Sequence, residues 1–412
     1  MSDVARGGPA TIRVAFLGAD EATSELLRAV LESTRFELAG VCELNPAELS
    51  GAGGLAPIVA KLRTFSSWEM LLETGQLDAV IVARGEDADL RTEQLRKLAQ
   101  VEQPALVAHP VVDSMLVYYE LDMIRRDTHS VLVSALGDRL HPAVQALAEI
   151  VRQGEASPIG KAEHLVMERC LPTPTKQLVD RQFARDVDVI RAIAGDMTRL
   201  GAMAGAPGVP NYAALGVQMH GPQGIDARWS VLAIQAACGA KITLTGARGR
   251  VTVELDAAGA PWTMETQTSG APQRQEFPGW SSADAVLAQF TAAIDGQAIT
   301  PDWVDACRAI ELTETIERSL KKSRTIELYY EDYTEDATFK GTMASLGCGL
   351  LLLTLMLLVL VGVLEQMKVP FLGVWTYAVV GVLGVFLLLQ LLLLTSKKRA
   401  GDSGAGRPPA GG

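Results

Sequence analysis

Apolar and polar positions follow two different rhythms along this chain, and the change between them divides it. Residues 12–17 (IRVAFL) are an apolar run rich in branched side chains, the pattern of a fully buried strand. Gly18 turns the chain, and Leu26, Leu27, Val30 and Leu31 then recur at helical spacing. Residues 36–42 form a second apolar run, which ends at Glu43. Further short runs at 78–83, 105–108 and 130–135 alternate with helical patterns at 92–99 and 111–126. Strands alternating with helices predict an α/β domain with a doubly wound parallel sheet and right-handed crossovers.

Beyond Leu136 the pattern changes. A helix at 142–152 is followed by a strand-like run at 162–168 and a helix near 187–194. Strands follow at 227–237, 241–245 and 250–255, then a closing helix at 302–321 and a last strand at 326–328. This order predicts a second, α+β domain on a mostly antiparallel open sheet. Residues 342–364 and 371–395 then contain no charged side chain. The first of these runs would reach roughly 34 Å as a helix, against a bilayer core of about 30 Å, so a C-terminal transmembrane helical hairpin is expected. Lys397, Lys398 and Arg399 follow at once. By the positive-inside rule they place both termini and the folded domains in the cytoplasm, with the lipid bilayer as a partner.

Composition narrows the chemistry. A net charge of −11 does not suit general nucleic-acid binding. Cys42, Cys170, Cys238, Cys307 and Cys348 make no CxxC and no metal-ligand spacing. They predict buried thiols in a reducing compartment and no metal site.

Strand, glycine turn, helix, strand and acid is the opening of a dinucleotide-binding unit. The turn itself departs from GxGxxG: Gly18 is present, Asp20 stands at the second glycine and Thr23 at the third. A carboxylate at a helix N-terminus competes with phosphate for the same amides, and it also makes a good N-cap. Glu43 stands where an acid can hold a ribose diol.

Segments along residues 11–328 resemble the glucose–fructose oxidoreductase / inositol dehydrogenase / MocA family. They are the Gly18 turn, VCELNP, FSSWEMLLETGQLDAVIVA, VLVSALGDRLHPAVQALAEIVRQGEASPIGKAEHL, KITLTGARGRVTVEL and FTAAIDGQAITPDWVDACRAIELTETIERSLKKSRTIEL. The resemblance implies a Rossmann domain binding NAD or NADP, and an α/β domain that commonly forms a homo-oligomer. It also implies a sugar- or cyclitol-like small-molecule ligand. It gives boundaries of 1–10 for a disordered lead, 11–137 for the Rossmann domain and 138–328 for the substrate and oligomerisation domain. An acidic linker at 329–341, the spans at 342–364 and 371–395, and a tail at 396–412 complete the chain.

The family's Glu-Lys-Pro is similar to Ala108-His109-Pro110, which puts His109 at the catalytic lysine. Counting back from Asp188, Arg191 and Gly195 puts Arg185 at the family's proton-transferring histidine and Arg181 at its aspartate. These three are the candidate catalytic positions, with Gly18, Asp20 and Glu43 as candidate cofactor contacts. Arginine stays protonated and does not transfer the proton. Arg181 and Arg185, four apart, can pair on an anionic ligand or on Asp180, Asp186 or Asp188. Two readings follow: an oxidoreductase with shifted catalytic groups, His109 among them, or a non-catalytic, membrane-tethered binding or scaffold protein of the same descent.

Overall fold

The computed structural model describes residues 11–43, 63–73, 77–204, 212–221, 223–234, 239–255, 260–328 and Met356. Contacts divide the chain into Met1–Tyr329 and Tyr330–Gly412. The expected lead, acidic linker and tail lie outside the described residues, and so do both expected membrane spans except for Met356. Among the described residues no helix is long and apolar enough to cross a membrane.

The first sheet grows from the first apolar run. β1 (Ile12–Leu17) is followed by α1 (Glu21–Glu32), β2 (Phe36–Cys42), β3 (Thr64–Phe65), α2 (Trp68–Glu73) and β4 (Ala79–Val82). Then come α3 (Ala88–Gln100), β5 (Ala105–Val107), α4 (Met115–Thr128) and β6 (Leu132–Ser134). All six strands are parallel, in the order β3-β2-β1-β4-β5-β6. β4 is buried at all four positions, because helices cover both faces of a parallel sheet. The order reverses between β1 and β4, and ligands of open α/β sheets bind at such a switch point.

A short 3-10 turn (Gly137–Leu140) and α5 (Pro142–Gln153) lead into the second sheet. β7 (Ala162–Cys170) and α6 (Lys176–Ala194) open it. β8 (Arg199–Met203), β9 (Gly216–His220), β10 (Asp226–Leu232), β11 (Ala240–Gly246) and β12 (Gly249–Leu255) follow. β13 (Trp262–Gln267) and β14 (Gln273–Phe277) extend one edge. The nine strands run β14-β13-β12-β11-β7-β10-β9-β8-β15, where β15 is Ile326–Glu327. Every pair is antiparallel except β7 with β10, as the mostly antiparallel expectation requires.

The chain then returns to the first sheet. α7 (Ser282–Ile294) buries Ala283, Val286, Leu287 and Phe290 in one core with Val14, Phe16, Leu27 and Ile81. α8 (Trp303–Lys322) places Trp303, Ala306 and Ile310 in the core on the opposite face, with Leu95, Tyr118 and Leu121. The Trp303 and Tyr118 rings stack with centroids 5.3 Å apart, and Trp303 Nε1 donates to the Tyr118 carbonyl at 3.1 Å.

The cysteine expectation needs correction. Cys42 and Cys307 are buried free thiols, but Cys170, at the end of β7, is disulfide-bonded.

Candidate functional site

The switch point is assembled by the loops after β1 and β4. Gly18 leaves β1 with φ +77°, a conformation that favours glycine, and its N–H donates to the Cys42 carbonyl at 2.8 Å. Asp20 is the N-cap of α1. Its Oδ1 accepts from the Thr23 N–H at 2.7 Å, and the Asp20 N–H donates to Thr23 Oγ1 at 2.8 Å. The two residues at the missing glycines thus form a capping box. The second oxygen of Asp20 accepts from the Arg84 N–H at 3.0 Å, tying the β1 loop to the β4 loop across the switch.

Glu43 holds its expected place past the end of β2, with φ +53°. Gln94 Nε2 donates to its Oε1 at 2.6 Å, and Arg91 approaches Oε2 at 3.3 Å. Arg91 also donates to Gln94 Oε1 at 2.7 Å. Both partners come from α3, and neither was among the expected site residues. Arg91 occupies space that two glycines leave open: a Cβ on Gly18 or on Gly85 would lie 2.9 Å from its guanidinium. The Arg91 side chain is 3% exposed and that of Glu43 32%. Burial lowers the pKa of Arg91, while Glu43, Cys42 and Asp20 oppose that shift. Among the described residues the Arg91 Nε–H has no hydrogen-bond partner.

His109 is the next of the expected positions. It follows β5, just before the cis His109–Pro110 peptide, and is 5% exposed. Nε2 lies 3.3 Å from the Ala184 carbonyl, and Nδ1 lies 3.3 Å from Ser134 Oγ. A carbonyl only accepts, so Nε2 carries the ring proton and Nδ1 accepts from the serine. Burial pushes the imidazole down to about 3. Both ring nitrogens are thus engaged inside the protein and the ring is held neutral.

Across the crevice stands α6. It runs from Lys176, far ahead of the expected start near 187, and so carries both candidate arginines. Lys176 pairs with Asp180 at 2.5 Å. Asp186 is taken by Arg169 and by Trp229 Nε1, the latter at 2.8 Å. Asp188 is taken by Arg139 at 2.8 Å and Arg191 at 3.3 Å. All three acids weighed as partners for Arg181 and Arg185 are therefore engaged elsewhere. Among the described residues neither arginine has an ion-pair or hydrogen-bond partner, and the Arg181 Nε–H is buried. Burial and then the like charge of Arg84 lower the pKa of Arg181, while Asp113 and Asp20 oppose them. Arg84 is held bidentately by Asp113, at 2.8 and 2.5 Å. Asp20 acts electrostatically on Arg181 and on Arg91, the partner of Glu43, while Arg185 acts on His109 after β5.

A cavity of about 1140 Å³ lies elsewhere, against the outer face of β7, β8, β9 and β10, and includes His164, Met203, Gln218 and Arg228. None of the expected site residues lines it.

No family model matches the chain, and no curated protein does. Solved structures do. An oxidoreductase from Agrobacterium radiobacter, in complex with NAD+, L-tartaric acid and magnesium, is 15% identical with a TM-score of 0.61, over 77% of this chain and 98% of that one. A myo-inositol dehydrogenase from Corynebacterium glutamicum is 19% identical with a TM-score of 0.60, over 78% of this chain and all of that one. An aldose-aldose oxidoreductase from Caulobacter crescentus, complexed with glycerol, is 15% identical with a TM-score of 0.64, over 77% of this chain and all of that one. These neighbours are oxidoreductases of the glucose–fructose oxidoreductase / inositol dehydrogenase / MocA type. The likeness establishes their fold for this chain: a parallel dinucleotide-type sheet and a second, mixed sheet.

Proposed function

We propose that the protein is a nicotinamide-cofactor-binding member of this oxidoreductase fold that holds a small, sugar-like ligand at the switch point and has given up ordinary dehydrogenase turnover. The observation that carries the reading is the enclosure of His109, neutral and bonded at both ring nitrogens. General acid–base catalysis contributes about 10² to 10⁴ in rate, and neither His109 nor the fixed cations Arg181 and Arg185 supply it.

The residues present fit NAD(P) at the ribose end. Glu43 is one-third exposed, and Gln94 and Arg91 fix its direction while engaging each oxygen once. That leaves lone pairs on both oxygens for a diol. At the phosphate end the Asp20 carboxylate opposes an anion, and it is near enough to Arg91 and Arg181 to act on both. A nicotinamide cofactor bound there would supply a hydride donor or acceptor, whose use the lost acid–base groups would limit. Glu43 would hold the ribose, and the Gly18 turn would keep side-chain bulk away from the dinucleotide. NAD-bound and sugar-type neighbours of the same fold support this reading.

The same proposal includes a membrane anchor. Its support is the two charge-free runs at 342–364 and 371–395 and the basic residues Lys397, Lys398 and Arg399 after them. The folded part then faces the cytoplasm, and its open second sheet offers a surface for a homo-oligomer.

The test is titration of the full-length, detergent-solubilised chain with NADH and NADPH, followed by nicotinamide fluorescence, beside a turnover assay over sugars and cyclitols. Saturable binding without turnover is expected. No binding at millimolar cofactor would sink the cofactor assignment, and turnover that His109→Gln abolishes would sink the loss of dehydrogenase chemistry.

A further inference from the structure

The cations at the crevice are not equally occupied. Arg84 is spent on Asp113, Arg91 on Glu43 and Lys176 on Asp180. Arg181 and Arg185 have no such partner among the described residues, and one N–H of Arg181 is buried with nothing to accept it. Their placement is fixed from both sides. The Ala184 carbonyl, between them in sequence, rests on His109 Nε2 at 3.3 Å, which seats α6 over the end of β5. Arg181 acts electrostatically on Asp113, beyond β5, and feels Arg84 and Asp20, which follow β4 and β1. Arg181 lies within electrostatic reach of Asp20, which itself accepts the N–H groups of Thr23 and Arg84, and Arg185 lies within reach of His109 at the end of β5. Two arginines without an ion-pair partner among the described residues thus stand on the helix beside the place where this fold class takes its ligand.

We propose that Arg181 and Arg185 bind the carboxylate or phosphate of an anionic sugar, so that the ligand is a sugar acid or sugar phosphate and not a neutral sugar or cyclitol. This rests on reading the crevice as the ligand site. A guanidinium presents its N–H groups as a fork that matches two anionic oxygens, and a buried N–H without an acceptor is satisfied when such a group arrives. Two arginines one helical turn apart can share one anionic group.

The experiment is calorimetric titration of the full-length, detergent-solubilised protein with D-glucose, D-glucuronate and D-glucose 6-phosphate, with NADH titrated in parallel. The proteins are the native chain, Arg181→Gln with Arg185→Gln, and Arg181→Lys with Arg185→Lys. At least one anionic sugar is expected to bind about tenfold or more tighter than glucose. The Gln pair should lose that preference, the Lys pair should keep part of it, and NADH affinity should fall by less than the affinity for the anion does. Equal affinity for glucose and both anions in the native chain overturns the proposal, and so does binding of none of the three. A Gln pair that loses NADH as strongly as it loses the anion also overturns it, since the arginines would then serve the cofactor's pyrophosphate. Absence of NADH binding with the anion preference intact overturns the cofactor reading alone. Should the Gln pair fail to fold, the native comparison of glucose with its two anions still decides.

Discussion

His109 illustrates what a residue's surroundings do to its chemistry. Free imidazole titrates near neutrality and suits acid–base work. Enclosed between Ser134 and Ala184, this ring is held to about 3. Folding therefore requires the neutral form, whereas the unfolded chain accepts a proton near 6.5. A depressed histidine stabilises the fold fully above 6.5, and that contribution falls as pH drops toward 3. By pH 5 the loss is about 2 kcal/mol. Two other buried groups bear on the same window. His141 is pushed by burial to about 4 and adds to the acid loss. Asp188 is raised by burial to about 6, so its own contribution is lost as pH rises and runs the other way. Both remain in a His109→Gln variant. Urea midpoints of the native and variant proteins at pH 5 and pH 7.5 should therefore differ in pH dependence by about 2 kcal/mol, the variant being the less acid-sensitive. Equal slopes would mean that His109 reaches water and titrates normally.

At the level of elements, the parallel sheet was legible because its strands are continuous apolar runs, and β1, α1, β2 and the Gly18 turn stand where the pattern put them. The edge of the second sheet was not legible. β14 (QRQEF) has no buried residue and β13 (WTMETQ) only Met264, so neither shows the alternation that marks a half-buried strand. β10 ends at Leu232, short of the run expected to 237, and residues 235–238 lie outside the described residues. The site was legible in part. Gly18, Asp20 and Glu43 could be located by counting. Arg91 and Gln94 could not, because on a helix sequence they read as solvent-facing polar residues, and only the close approach of α3 to Glu43 gives them a role. Asp20 could be read as an obstacle or as a cap. Geometry shows the cap, and the same carboxylate also ties down the Arg84 loop. Asp20→Gly should separate the two. Losing the side-chain cap and the Arg84 acceptor should cost about 1 kcal/mol in urea unfolding. Removing the carboxylate from the phosphate side should strengthen NADH binding by about tenfold in a fluorescence titration. A variant that loses stability and gains no affinity would show that Asp20 does not face the cofactor.

Across the whole molecule, the later half of the chain completes the earlier half. α7 and α8 supply core to both faces of the parallel sheet, and the buried Asp188 and Arg191 join the half-buried Arg139 and Asp305 in one ionic network across the 3-10 turn, α6 and α8. The two sheets are therefore coupled by packing as well as by the chain. What this unit implies about its compartment contains a conflict. Lys397, Lys398 and Arg399 follow the second charge-free run, and if the proposed anchor forms, the positive-inside rule would put the folded unit on the cytoplasmic side. Cys170 is disulfide-bonded, and such bonds persist mainly in oxidising compartments. The charge rule acts when the chain inserts, whereas a disulfide can form afterwards, so the charges should set the orientation and the bond should be open in the cell. Membranes washed with alkaline carbonate should retain the protein. Intact cells treated with a permeant maleimide before lysis should yield Cys170 already alkylated, read by mass spectrometry of its peptide. A Cys170 that resists maleimide until reductant is added would put the folded unit on the oxidising side and reverse the orientation, while leaving the crevice and its arginines where they are.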